Sequence, residues 1–349
     1  MATTPITTPT TTMRALTYEG PGAVAFRDVP APTLSSDGAL VRPTAVSTCD
    51  LDRALVRGFP GFDPPFALGH EFAGEVVAVG AAVGDHRPGD RVAVSYQVSC
   101  GDCRPCRRGV TSACRAVPKA ATYGLGAASG PWGGALADLV EVPYADAMLA
   151  PIPAGVSTRQ AASASDNVAD ALRCVAPALA ADPRAAVLVV GDGAIPLMAA
   201  DCARRLGSER VTLCTRQPVA ARIAAERGVE AQLVDAWPDR FPNHPITVEC
   251  TSDPAGLRAV VASTEPGGTC TAAGMHLGDV ALPLWSMYMK GITLRTGRTE
   301  GAAALRPALA AIAAGQVDPL VVEPEVVAWD DAPAAFLGNA LKSIVDRDA

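Results

Sequence analysis

The sequence predicts an α/β protein of two domains, a β-rich domain and a doubly wound domain built on a parallel sheet. Three observations carry this. The first 150 residues alternate short apolar runs with Gly and Pro and hold no long helix-period segment. From 185 to about 289, apolar strand-like runs alternate with helical patterns, the βαβ order of a parallel sheet. The length of 349 residues suits about two domains, and 49% apolar residues suffice for real cores.

Taken in chain order, "MATTPITTPTTT" is Thr/Pro-rich and uncharged, which predicts a disordered tail over residues 1–12. "RALTYEGPGAVAFRDVPAP" reads as hairpins, and "EFAGEVVAVGAAV" and "GDRVAVSYQV" continue the β texture. The texture changes near 157, where Ser157 can cap a helix. "AAVLVVGDG" is a buried strand ending in a glycine turn, and "AIPLMAADCARRLG" a helix ending at Gly207. "RVTLCTR" and "PVAARIAAERGVE" give the second strand and helix; "ITVECTS" and "GGTCTAAGM" are further strands. Residues 290–349 return to mixed structure and are expected to pack on the first domain.

Composition excludes several function classes. The net charge of −7 carries no long run of one sign, which argues against nucleic acid as a partner. No stretch approaches the ~18 apolar residues of a membrane helix. The N-terminus lacks the basic start and apolar heart of a signal peptide, so a cytoplasmic protein is expected. Ten cysteines there are not expected to be disulfide staples.

"CGDCRPCRRGVTSAC" places Cys100, Cys103, Cys106 and Cys114 at spacings of three, three and eight. Four thiolates in one loop can close a tetrahedral shell on zinc, leaving no place for water, so the predicted role is structural. The loop (about 97–116) is Gly-, Arg- and Pro-rich with no core of its own, so the metal would supply its stability. A second metal is suggested by Cys49, followed about twenty residues later by Gly69-His70-Glu71.

Cys49 with the Gly-His-Glu turn, the four-cysteine lobe, "VLVVGDG" and the final "KSIV" together resemble the zinc-dependent alcohol dehydrogenases of the medium-chain dehydrogenase/reductase superfamily. The resemblance runs from Met13 to the end. It implies a GroES-like β-rich catalytic domain over 13–157 and 290–349, interrupted by a Rossmann domain over 158–289. It places the third catalytic zinc ligand on the segment opening the Rossmann domain, where "SDNVADALRCV" offers Asp166. A carboxylate is an acceptable third ligand to a site that keeps one position open. Glu71 becomes a reserve ligand during exchange, and Asp52 can orient His70 from behind. The resemblance also implies transfer of the pro-R hydride, and a homodimer or homotetramer.

The cofactor turn "GDGAIP" matches two glycines of the dinucleotide fingerprint. Gly191 makes the tight turn, Gly193 admits the pyrophosphate, and Ala194 and Ile195 open the helix. Pro196 replaces the third glycine and is tolerable in a first helical turn. At the end of the next strand, Thr215 stands where NAD enzymes carry an acid, and Arg216 follows. A hydroxyl and a guanidinium suit a 2′-phosphate, so NADP(H) is favoured over NAD(H).

One departure from the family pattern matters. Its usual run beside the zinc is Cys-Gly-Thr-Asp-x-His, in which Thr takes the alcohol's proton and His relays it. Here Leu51 and Ala54 hold those two positions. The proton could then come from water, or from Tyr96, which falls at a pocket-lining position in relatives. A substrate needing no such proton, an iminium or a conjugated enone, is the alternative. The missing relay also leaves open a non-catalytic NADPH-binding protein. Phe59, Phe62, Trp132 and Trp285 are candidate pocket walls, hinting at a small-molecule substrate larger than a simple alcohol. Cys174, Cys202, Cys214, Cys250 and Cys270 are expected as small buried hydrophobes.

Overall fold

The computed structural model describes residues 12–349. The tail expectation for 1–11 lies outside the described residues, but Thr12 already belongs to the first strand. Strands β1 (Thr12–Gly20) and β2 (Ala23–Pro30) form the expected hairpin, and β4 (Phe66–Ala67) adds to β1. A mixed sheet follows, from β3 (Ala39–Ser47), β5 (Glu71–Val79), β6 (Arg91–Val94), β7 (Val140–Val142) and β8 (Leu149–Pro151). Three short helices interrupt it: α1 (Asp50–Val56), α2 (Arg104–Arg107) and α3 (Ala145–Met148).

Ser157 caps α4 (Thr158–Ala161) in a reciprocal capping box with Gln160. The chain then enters α5 (Asn167–Ala181) and the doubly wound domain. Its elements are β9 (Val187–Gly191), α6 (Ala194–Arg205), β10 (Val211–Thr215), α7 (Pro218–Glu226), β11 (Glu230–Leu233), β12 (His244–Cys250), α8 (Pro254–Ser263), β13 (Thr264–Ala272), α9 (Leu284–Lys290) and β14 (Thr293–Thr296). The sheet order is β11-β10-β9-β12-β13-β14, parallel throughout. Order reverses between β9 and β12, and ligands bind at such a switch point, beyond the carboxyl ends of the strands.

Two stretches differ from expectation. The helix read through Glu230 ends at Glu226, because Gly228 turns the chain at φ 77° into the short edge strand β11. The parallel sheet also continues past residue 289, through β14. After β14 come α10 (Gly301–Ala313), β15 (Glu325–Ala328), α11 (Ala332–Leu337) and β16 (Ser343–Asp346). β16 pairs antiparallel with β3, and β15 pairs with β16, so the C-terminal segment adds two strands to the first sheet. Among the described residues no helix is long and apolar enough to cross a membrane.

Candidate metal centres and cofactor cleft

The lobe cysteines converge. Cys103 Sγ lies 3.4 Å from Cys106 Sγ and 3.9 Å from Cys114 Sγ, and Cys114 Sγ lies 3.6 Å from Cys100 Sγ. A tetrahedron with ~2.3 Å zinc–sulfur bonds has edges of ~3.8 Å, close to the separations among these sulfurs, which all lie within 4.8 Å of one another. Backbone N–H groups of Cys100, Cys103, Arg115 and Ala116 donate to these sulfurs. The bond from the Arg115 N–H, helped by the Cys106 N–H, lowers the Cys103 thiol to about 6. Glu300, just before α10, holds the lobe by accepting from the Ser112 N–H and hydroxyl at 2.6 and 2.9 Å.

The second constellation is assembled by α1. The stretch "DLDRALV" is a helix, and Cys49 is its cap. Asp52 Oδ2 accepts the Cys49 N–H at 2.8 Å, while its Oδ1 stands 3.1 Å from His70 Nδ1. One buried carboxylate thus caps α1 and stands against the imidazole. With Nδ1 turned to Asp52, Nε2 is left facing Asp166 Oδ2 at 3.3 Å. The ligand atoms of Cys49, His70 and Asp166 all lie within 4.8 Å of one another. Asp166 reaches them because it caps α5, next to Asn167, whose amide donates to Cys49 Sγ and Asp166 Oδ2.

The electrostatics suit a cation. Burial alone would lower the His70 pKa, but Asp52, Asp166 and Cys49 together raise it well above its ordinary value. Burial pushes the Cys49 thiol up, partly offset by His70. His70 thus sits among negative donors, and a divalent ion would relieve them.

Glu71 has a fixed partner in this structure. Lys342 Nζ donates to Glu71 Oε2 at 2.6 Å, to Asn167 Oδ1 at 2.8 Å and to the Thr48 carbonyl at 2.7 Å. The Asn167 N–H gives Glu71 Oε1 a further bond of 2.8 Å. Burial would lower the Lys342 pKa, but Glu71 and Cys49 outweigh it, so the ammonium stays charged. The "KSIV" pattern alone does not disclose this role, and nothing in the sequence singles out Asn167.

Tyr96 lies beside the centre, its ring 6.0 Å from that of His70. Its hydroxyl donates to the Thr299 carbonyl and accepts from Gln97 Nε2 at 2.8 Å. Burial pushes the phenol far up, making it a poor acid. Of the aromatic candidates, Phe59 and Phe62 pair at 6.1 Å. Trp132 packs on the core of the mixed-sheet domain. Trp285 is 73% exposed on α9, stacked on Tyr288. Cys174, Cys202, Cys214 and Cys270 are buried as expected, and Cys250 is half-buried.

The glycine turn lies at the carboxyl end of β9. Gly191 and Gly193 take φ of 154° and 99°, and a Cβ on Gly191 would meet Cys250 at 2.7 Å. Pro196 sits buried in the first turn of α6, as expected. The Gly193 N–H donates to Gln217 Oε1 at 2.9 Å, and the Ala194 N–H to Asp50 Oδ2 at 3.2 Å. Thr215 and Arg216 both bind Asp192, the residue between the two glycines. Thr215 Oγ1 donates at 2.9 Å, Arg216 Nε at 2.8 Å, and the guanidinium lies 4.5 Å over the Trp237 ring.

This fold and these two donor sets define a zinc-binding, nucleotide-dependent oxidoreductase. The alcohol dehydrogenase GroES-like domain family matches residues 35–154. The chain is 32% identical to the "Probable zinc-binding alcohol dehydrogenase" of Mycobacterium tuberculosis, over 81% of this chain and 74% of that one. It is 28% identical to the glutathione-independent formaldehyde dehydrogenase of Pseudomonas aeruginosa, over 93% and 94%. Among solved structures, alcohol dehydrogenase TADH from Thermus sp. ATN1 superposes with a TM-score of 0.84 at 28% identity, covering 96% of this chain and 99% of that one. A zinc-binding dehydrogenase of Sinorhizobium meliloti 1021, bound to NADP, gives 0.78 at 25% identity, covering 97% and 100%. The chain belongs to the zinc-dependent alcohol dehydrogenase family of the medium-chain dehydrogenase/reductase superfamily. It is a hydride-transferring enzyme of that class, with zinc and a nicotinamide cofactor.

Proposed function

We propose that the enzyme transfers hydride between NADP(H) and a carbonyl or alcohol carbon at the Cys49–His70–Asp166 centre, with a second zinc in the four-cysteine lobe. The observation that carries this reading is the convergence of those three donors within 4.8 Å, beside the switch point of the parallel sheet. When bound, the zinc supplies Lewis-acid polarisation of a carbonyl oxygen and the dinucleotide supplies hydride. The protein's own groups do the rest. Asp52 holds the His70 tautomer. Asn167 and Lys342 hold Cys49, Asp166 and Glu71 in place, and Glu71 serves as the reserve donor only when Lys342 lets it go.

Leu51 and Ala54 carry no proton, and Tyr96 is a poor donor. Ala54, however, lines a cavity of about 360 Å³ with Asp50, Arg53, Arg57, Gln217 and Asn339. A polar cavity at the vacant relay position supports water as the proton source. The same vacancy favours a second reading, reduction of an iminium or a conjugated enone. Consumption of NADPH with a cyclic ketone and its cyclic imine, each with and without a zinc chelator, separates them. Ketone turnover abolished by chelation is expected. Turnover of the imine alone, indifferent to chelation, would replace the first reading by the second.

The Arg216 guanidinium, held over Trp237 at the end of β10, supports NADP(H). Arg216→Ala is expected to weaken NADPH binding roughly 10- to 100-fold, the worth of a hydrogen bond to a charged group. NADH should stay within about twofold. Equal losses would remove Arg216 from 2′-phosphate recognition. Leu284, Trp285, Tyr288 and Met289 form an exposed apolar face on α9, beside the edge strand β14. That face supports a homodimer, which the mass in solution checks.

A further inference from the structure

The inference rests on the proposed cofactor: a dinucleotide crosses the sheet at β9 and β12 with its pyrophosphate at the amino end of α6. Such an end presents free N–H groups and the positive pole of the helix, and therefore seats anions. In this chain the seat already holds an anion of the chain's own. Asp50, the first residue of α1, accepts the Ala194 N–H on Oδ2 at 3.2 Å. The same oxygen lies 2.1 Å from where a Cβ on Gly193 would stand, directly in front of the glycine turn. The opening that Gly193 keeps clear of side chain is filled by a carboxylate instead. Gln217 Oε1 takes the neighbouring Gly193 N–H at 2.9 Å.

We propose that Asp50 is an internal competitor of the cofactor pyrophosphate, which must be expelled before any dinucleotide can reach the α6 N–H groups. Two anions cannot share one set of donors a few ångströms apart without strong repulsion. The displaced carboxylate has a place to go. Its other oxygen, Oδ1, already stands 3.6 Å from Arg53 NH1. Arg53 is 8% exposed; its NH1 and NH2 donate to the Leu341 carbonyl and Thr48 Oγ1, its Nε has no hydrogen-bond partner, and with Arg57 it lines the 360 Å³ cavity beside the seat. Swinging onto Arg53 exchanges a backbone N–H for a guanidinium. Because α1 precedes the parallel-sheet domain and α6 lies within it, the Asp50–Ala194 bond also latches the cleft across the two domains. Every dinucleotide carries the pyrophosphate, so Asp50 weakens NADH and NADPH by the same factor, whereas Arg216 tells them apart.

The test is titration of NADH and NADPH by nicotinamide fluorescence on the wild-type chain, Asp50→Asn and Asp50→Ala. Adenosine 2′-monophosphate, which lacks a pyrophosphate, is the control, displacing a fluorescent adenosine analogue. The Asp50 side chain is 45% exposed, so neither substitution empties a core. Both variants are expected to bind both dinucleotides roughly tenfold more tightly, with the mononucleotide unchanged. Measurable but unchanged or weaker dinucleotide binding in both variants would overturn the Asp50 assignment alone. Failure of all three proteins to bind either dinucleotide would overturn the cofactor reading and the Asp50 assignment with it.

Discussion

Lys342→Met will destabilise the protein by about 3–5 kcal/mol, the usual cost of stranding one partner of a buried ion pair. Lys342 is 1% exposed and Glu71 is fully buried. The ammonium binds three acceptors from three separate segments: Glu71, Asn167 and the Thr48 carbonyl. Its removal leaves Glu71, whose carboxyl burial already pushes up to about 7, with only the Asn167 N–H. It also loosens the joint among β5, α5 and the approach to β16, next to His70 and Asp166. The urea midpoint measures the loss. Lys342→Met/Glu71→Gln removes the stranded charge and should recover most of it. A loss below about 1 kcal/mol in the single variant would mean that Lys342 and Glu71 do not form a charged pair.

Asp166→Ala is expected to remove the metal of the open shell while leaving that of the lobe. Even changes behind a metal ligand cost about 10–100-fold in affinity, so loss of one of three donors should cost at least as much. Turnover should fall with the metal. Asp166→Cys, which restores a donor of another kind, should recover metal binding. His70 and Cys49 remain in place in both variants because Asp52 and the α1 cap hold them independently of Asp166. Unchanged zinc in Asp166→Ala would remove Asp166 from the shell.

What the sequence revealed follows from the range over which its signals act. The convergence of the lobe cysteines was legible because four cysteines in fifteen residues of one loop lie within reach of one another. The parallel sheet was legible because strands covered on both faces read as unbroken apolar runs, as "VLVVG" does. The edge strand β11 was not, because "EAQL" is mostly exposed and carries no such run. Helix α1 was hidden by its seven residues, too few to display a period. The partners of Glu71 and Ala194 were illegible for a different reason. Lys342 lies 271 residues from Glu71, and Asp50 lies 144 from Ala194. Only the folded topology brings them together, so a motif such as "KSIV" could mark a position without disclosing its task. The exposure of Trp285 was illegible because an aromatic near motif segments looks alike whether it faces a pocket or solvent.

The proposed chemistry depends above all on Cys49, His70 and Asp166 forming a working metal shell although the neighbouring proton relay is gone. Zinc per chain, measured on the purified folded protein after removal of loosely held metal, tests this most directly. Two zinc ions are predicted, one in the lobe and one in the open shell. A single zinc, retained when Asp166 is replaced and lost when Cys103 is replaced, would contradict it.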